Sequence, residues 1–274
     1  MKKIVFISIA LILSVSLYAL KPEREYAVTP ADYGMDYNNL KIKTSDGMML
    51  QAWLFNATDK QSRKVIILSD DGDGNMADLI ELASNFLSLG YNVVTYDYRG
   101  YGSSDDFQIN TKFFLYSQFQ KDLEGVIDYM RRHYPSFKTT HLFGVGLGGG
   151  LSLGIGANRP EVSKIIADSP YITFELTEKR YMEVYGQKLM MPLGFDKTWM
   201  EPLYALEAKA SGLTGIFLIS GELDELFQPD DMKSLYKLRK SITKMYEVPG
   251  AKRTTTFVSD KGAYFKEIQK FLGL

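Results

Sequence analysis

The stretch Leu142-Phe143-Gly144-Val145-Gly146-Leu147-Gly148-Gly149-Gly150 decides how this chain folds. An apolar run, Thr139–Phe143, passes through five glycines into a helical pattern, Leu147–Ala157. Glycine accumulates where a backbone turns sharply or meets another backbone at close range. Two chemistries use such a strand–glycine–helix junction. In dinucleotide binding, the glycines of G-x-G-x-x-G let backbone N–H groups reach a pyrophosphate at the helix N-terminus. Gly144, Gly146 and Gly149 fit that spacing, and Asp168 stands about 20 residues on, where a ribose acceptor belongs. That fingerprint normally opens its domain, however, and here about three strands come first. In the other chemistry, G-x-S-x-G, a nucleophile rides on the turn. Gly144, Gly148 and Gly149 occupy glycine positions of that motif, and the place of the serine is taken by Gly146.

Outward from the junction, strand and helix alternate. Leu40–Thr44 and Met48–Phe55 flank Ser45-Asp46-Gly47 as a hairpin. Lys64–Ser69 and Asn92–Tyr96 read as buried strands, with a helix over Met76–Leu89 between them that stops at Gly90. Gln118–His133 has the period of an amphipathic helix. Beyond the junction, strands are expected at Lys164–Ala167, Gly215–Ile219 and Lys244–Val248, and helices at Asp230–Lys240 and Gly262–Leu272. This pattern predicts an α/β fold with a mostly parallel sheet covered on both faces. A stretch at about 171–212, rich in Tyr, Met and Lys, interrupts the alternation and fits a small helical cap.

Several segments resemble the α/β-hydrolase superfamily, in its serine aminopeptidase-like, prolyl-oligopeptidase-related branch, over nearly the whole of residues 20–274. Leu89-Gly-Tyr-Asn-Val-Val-Thr-Tyr-Asp-Tyr-Arg-Gly-Tyr-Gly-Ser-Ser104 is similar to the strand and loop after the first helix of that fold. Pro30-Ala-Asp-Tyr-Gly34 and Asp122 resemble the same branch. Ile219-Ser-Gly-Glu-Leu-Asp-Glu-Leu-Phe-Gln-Pro229 resembles its acid loop, with Asp224 as the triad acid. Val248-Pro-Gly-Ala-Lys-Arg253 resembles the segment that carries the triad histidine, and here that position is Arg253.

The resemblance implies a triad, Gly146, Asp224 and Arg253, in which two of three members have lost their chemistry. Gly146 has no side chain to attack a carbonyl, and a guanidinium accepts no proton. Loss of the serine or the histidine alone costs roughly a million-fold in turnover in a worked protease case. The oxyanion region implied by the resemblance, Asp71, Gly72 and Leu147, departs as well. The family usually places His-Gly after the third strand, whereas this chain has Asp70-Asp-Gly-Asp-Gly-Asn75, and a carboxylate there repels a developing oxyanion. Asp224 is then expected to pair with Arg253 as carboxylate and guanidinium.

No substitute group restores the reaction. His141 lies about 16 Å back along its strand from Gly146, toward the other end of the sheet. His133 falls in the last turn of a helix, where a cation suits the dipole. Ser103 and Ser104 have no general base beside them, and Ser169 reads as a turn or cap residue. Asp71, Asp73 and Asn75 alternate as the first ligands of a calcium loop do, but Met76 and Leu82 stand where Gly and Glu belong. They are weak metal candidates, and the plainer reading is an acidic turn that caps the next helix.

Composition narrows the rest. The chain has 274 residues, no cysteine and two histidines, which removes disulfides, a cysteine nucleophile and cysteine-ligated metals. A net charge of −1 shows no basic excess for nucleic acid. Lys2 and Lys3 followed by an apolar run from Ile4 to Leu20 read as a signal peptide over residues 1–19, cleaved after Ala19 or kept as an anchor. The expected protein is exported, periplasmic or extracellular as in a bacterial cell, and needs no cofactor. It is a pseudo-hydrolase that binds a small-molecule or peptide-like ligand, or a protein, with Asp71, Asp73, Ser103 and Leu226 as pocket candidates. It meets a membrane only through an uncleaved N-terminal segment. Two alternatives stand: a divergent esterase- or peptidase-like hydrolase using a metal at the acidic loop or a water held by Asp224, and a nucleotide-binding protein using the glycine run.

Overall fold

The computed structural model describes residues 19–274, apart from residues 211 and 254. The N-terminal segment 1–18, the bulk of the expected signal peptide, lies outside them. In chain order the elements are β1 (Lys21–Pro22), β2 (Asn38–Lys43), β3 (Met49–Phe55), β4 (Lys64–Ser69), β5 (Asp73–Gly74), α1 (Ile80–Ser88), β6 (Asn92–Tyr96), α2 (Phe119–His133), β7 (Thr139–Val145), α3 (Leu147–Asn158), β8 (Val162–Asp168), α4 (Phe174–Tyr185), α5 (Lys197–Met200), α6 (Pro202–Ala208), β9 (Gly215–Gly221), α7 (Pro229–Leu238), β10 (Thr243–Val248), α8 (Thr256–Ser259) and α9 (Lys261–Leu272).

Eight strands form the main sheet in the order β10-β9-β8-β7-β4-β6-β3-β2. Strands β10 to β6 run parallel, while β3 pairs antiparallel with β6 and with β2. The expected parallel sheet and hairpin are both present. The central strands are apolar throughout because each of their faces is covered: Val65, Ile67 and Leu142 face one core, and Ile66, Leu68 and Phe143 the other. The segment expected as one helix from Met76 begins instead with a 3-10 turn, Met76–Leu79, before α1. Asn75 starts that turn by accepting a hydrogen bond from the Ala77 N–H at 3.0 Å.

The cap consists of α4, α5 and α6. It follows β8 and packs on α3, whose glycine-rich surface admits it at close range: Gly154 lies against the Trp199 carbonyl. The second sheet has two strands, β1 and β5, in parallel, so that residues 21–22 lie along the acidic loop.

Candidate functional site

The central parallel strands β4, β7, β8 and β9 all end on one edge of the sheet, and the loops that follow them meet there. A ligand site in an open α/β sheet lies at this edge. At the end of β7, Gly146 adopts φ 53° and ψ −113°, a conformation that side-chain-bearing residues rarely take. Its N–H donates to the Asp168 carbonyl at 2.8 Å. A Cβ on Gly144 or Gly148 would collide with backbone, at 2.2 Å from the Gly148 oxygen and 2.4 Å from the Ser69 oxygen respectively. These glycines therefore serve a tight strand-to-helix turn, an elbow with no room for side chains. Asp168 is closed to a ribose, because its buried carboxylate accepts hydrogen bonds from Thr256, Tyr264 (2.8 Å) and Ser169 (3.1 Å).

Of the three positions that the resemblance names as a triad, Gly146 and Arg253 come together, with Asp71 beside them. A Cβ on Gly146 would stand 3.0 Å from the Asp71 Cβ and 3.1 Å from Nη1 of Arg253. The place of a nucleophile is flanked by a carboxylate residue on one side and a guanidinium on the other. Asp224 lies just past β9, buried, with its Oδ1 accepting from the N–H groups of Leu226 (2.9 Å) and Phe227 (2.8 Å). Its Oδ2 is buried and accepts no hydrogen bond among the described residues. The expected Asp224–Arg253 ion pair does not form: no carboxylate among the described residues lies within 4 Å of Arg253, which sits over the Phe227 ring at 5.7 Å. The reason is geometric. Two backbone donors and the loop hold Asp224, while Arg253 reaches past it toward the elbow.

Electrostatics follow from this layout. Burial disfavours the charge on Arg253, but Tyr181, Asp71 and Asp224 around it leave its pKa above the ordinary arginine value, so it stays cationic. Burial raises Asp224, and its backbone hydrogen bonds and the Arg253 charge offset only part of that rise. Burial likewise raises Asp71, against the pull of Arg253. Asp70 is raised well above the usual carboxylate range by burial and by the charge on Asp71. The loop after β4, which the resemblance names as the oxyanion region, carries the carboxyl groups of Asp70, Asp71 and Asp73, and Leu147 beside it is buried.

Other site candidates are dispersed. Asp73 pairs with Lys21 at 2.7 Å, and Asn75 caps the 3-10 turn while its amide donates to the Glu23 and Glu25 carbonyls. Among the described residues no group of three or more His, Asp or Glu is arranged to hold a metal ion. Ser103 is exposed; its N–H donates to Tyr26 Oη and its carbonyl accepts from Lys41, both at 3.0 Å. Ser104 supports the backbone of Gln51. Leu226 is buried and contributes its N–H to Asp224. Gly72 is covered by Leu20, whose Cδ2 would lie 2.9 Å from a Cβ there, with Leu147 on the other side at 3.4 Å. The pocket candidates therefore do not outline one cavity. A cavity of about 690 Å³ lies instead by Asn56, Lys60, Arg63 and Tyr134, and one of about 410 Å³ by Glu222, Asp224, Gln228 and Glu247.

His141 is buried within β7, where burial holds its pKa down at about 4, and His133 stacks on Tyr129 at the end of α2. Neither is at the elbow. Sequence reasoning missed Tyr181, Phe227 and Leu20, which close around Arg253 and Gly72. Phe227 lies within the acid-loop segment, but its type gives no sign of the role, and Tyr181 and Leu20 lie in no motif; all three arrive by packing.

Comparison with known proteins follows this geometry. The serine aminopeptidase (S33) family profile matches residues 60–194, which include the elbow and stop short of Asp224 and Arg253. The alpha/beta hydrolase domain-containing protein WAV2 of Arabidopsis thaliana is 25% identical over 91% of this chain and 82% of its own length. Protein bem46 of Schizosaccharomyces pombe is 25% identical over 91% of this chain and 81% of its own. An uncharacterized membrane protein of Saccharomyces cerevisiae is also 25% identical, over 91% of this chain and 84% of that one. Among solved structures, the Pyrococcus furiosus esterase Pf2001 superimposes with a TM-score of 0.75 at 21% identity, covering 93% of this chain and 96% of the esterase chain.

Proposed function

Because this chain belongs to the α/β-hydrolase superfamily yet has neither a nucleophile nor a base on its elbow, we propose that it is an exported pseudo-hydrolase that acts by binding. One observation carries the reading. Gly146 keeps the strained backbone of a nucleophile position, and the guanidinium of Arg253 stands 3.1 Å from where its side chain would begin. The scaffold of acyl transfer is retained, while the atoms that form and break bonds are replaced by a permanent cation and a carboxylate. Such a face takes a peptide-like ligand or a protein surface more readily than a small molecule enclosed at the elbow, since Asp71 and Arg253 fill that space. A fluorophosphonate probe tests the reading. The expected result is no covalent labelling and no turnover of nitrophenyl esters, and labelling at any residue of the elbow face overturns it.

A second reading is favoured by the unpartnered Oδ2 of Asp224. A buried carboxylate oxygen of this kind can orient a water for attack, which would make the protein a divergent hydrolase. It requires ester cleavage that survives fluorophosphonate treatment and is lost in Asp224→Asn.

A further inference from the structure

We infer that Arg253 and Tyr181 form a carboxylate-binding site at the elbow, which holds a ligand by its terminal carboxylate and leaves the chain behind that group against Tyr185 of α4. The site rests on the proposed reading that this face binds, and it adds the chemical class of what is bound.

The cation comes first. A guanidinium carries a permanent charge and five N–H donors. Among the described residues Arg253 has no hydrogen-bond or ion-pair partner; the Phe227 ring lies under it. The two carboxylates that act on its charge, Asp71 and Asp224, are held by their own loops. Asp224 accepts from the Leu226 and Phe227 N–H groups, and Asp71 Oδ1 accepts from the Asp73 N–H at 3.0 Å. A cation drawn this far out of water without an acceptor is costly to the fold. A ligand that brings the acceptor accounts for its place.

Tyr181 supplies a second donor. Its side chain is buried, yet its hydroxyl has no hydrogen-bond partner among the described residues. No polar atom of Arg253 or Tyr181 is both unpaired and sealed from solvent, so both tips are reached from outside. Of the ionisable neighbours, Tyr181 acts most strongly on the Arg253 charge, and Arg253 on the Tyr181 hydroxyl. Nη1 of Arg253 stands 3.1 Å from where a Cβ on Gly146 would begin. Helix α3 starts there at Leu147, and its leading N–H groups have no acceptor within the helix. A guanidinium, a hydroxyl and the positive end of a helix thus converge on one place.

Charge and shape select a carboxylate over a phosphate. Two coplanar oxygens match the guanidinium fork in a bidentate pair. A carboxylate also brings a single negative charge, which one guanidinium balances. A phosphate dianion would carry an excess charge beside Asp71, whose Cβ is 3.0 Å from the Gly146 Cβ position, and the two would repel. Behind the carboxylate, Tyr185 lies one turn along α4 from Tyr181, with ring centroids 5.4 Å apart, and is 40% exposed. Its ring offers apolar contact to the chain that follows, whether a peptide or an aliphatic acid.

The full chain is titrated by calorimetry with octanoate, with the tripeptide acetyl-Ala-Leu-Phe, with the amide of each acid, and with inorganic phosphate. The expected result is that at least one acid binds about tenfold or more tighter than its own amide and than phosphate. That acid-over-amide ratio should fall to about one in Arg253→Met and by about threefold in Tyr181→Phe, and should be unchanged in Lys60→Met at the opposite edge of the sheet. Because the ratio is taken within each variant, a loss of folded protein does not mimic it. Selectivity for octanoate alone assigns an aliphatic acid, for the tripeptide alone a peptide C-terminus, and for both the carboxylate itself. Binding of neither acid, equal binding of acid and amide, tighter binding of phosphate, or selectivity kept in Arg253→Met overturns the site. Fluorophosphonate labelling of the same samples separates this site from the proposed function. Labelling with selectivity intact overturns the inert elbow alone, and no labelling without selectivity overturns the carboxylate site alone.

Discussion

Asp224 and Arg253, from the loops after the neighbouring strands β9 and β10, do not touch: Asp224 is fixed by two backbone N–H donors, and Arg253 extends over Phe227 toward Gly146. Their attraction therefore acts across a gap. A double-mutant cycle with Asp224→Asn and Arg253→Met should give a coupling of about 1–2 kcal/mol, as for charges several ångströms apart at an effective dielectric constant of about 20. Chemical denaturation reads it, and a coupling of 3 kcal/mol or more would mean that a contact pair forms in solution.

The elbow makes a second prediction. Gly146→Ser alone places a side chain 3.1 Å from the guanidinium at a positive φ, and should lower stability by about 1–3 kcal/mol without fluorophosphonate labelling. Gly146→Ser with Arg253→His rebuilds the nucleophile and base but leaves Asp71 beside the oxyanion. Ester hydrolysis in that double variant should rise by about tenfold or more when Asp71→Ala is added. No gain from the third change would show that Asp71 does not obstruct the reaction.

Packing at the junction gives a third. A Cβ at Gly148 would meet the Ser69 and Asp70 carbonyl oxygens at 2.4 and 2.5 Å, whereas one at Gly250 meets nothing within 4 Å. Gly148→Ala should cost about 4 kcal/mol or more, and Gly250→Ala only about 1 kcal/mol for its positive φ. Thermal unfolding of the two variants gives the comparison; similar melting temperatures would contradict it.

Two buried groups make opposite contributions to stability between pH 4 and 6.5. Burial lowers His141 from 6.5 to about 4, so its contribution is complete above pH 6.5 and is lost as pH falls toward 4. Burial raises Asp168 from 3.8 to about 6, more than the hydroxyls of Thr256, Tyr264 and Ser169 lower it. Its protonated form is favoured by the fold, so its contribution is complete below pH 3.8 and is lost as pH rises through 6. Each amounts to about 3 kcal/mol across its window. The stability advantage of the native chain over Asp168→Asn should therefore be larger at pH 4.5 than at pH 7.5. For His141→Phe the advantage should be larger at pH 7.5. Denaturant midpoints measured at the two pH values would refute the assignment if either difference ran the other way.

The sequence by itself determined the architecture. Alternating apolar runs and helical periods specify a covered parallel sheet, because burial on two faces leaves little choice of residue at Val65–Leu68 or Leu142–Phe143. The identities of Gly146 and Arg253 carry the proposed loss of chemistry, since an absent side chain cannot attack and a guanidinium accepts no proton. Tertiary structure alone decided how the remaining groups meet. Asp224 and Arg253 come from loops after different strands, and whether such groups touch depends on distances of a few ångströms set by backbone donors and neighbouring rings. Leu20 was legible only as the end of an apolar run. Its burial over Gly72 makes the root of that run part of the domain, because β1 finds its hydrogen bonds along β5 rather than in water.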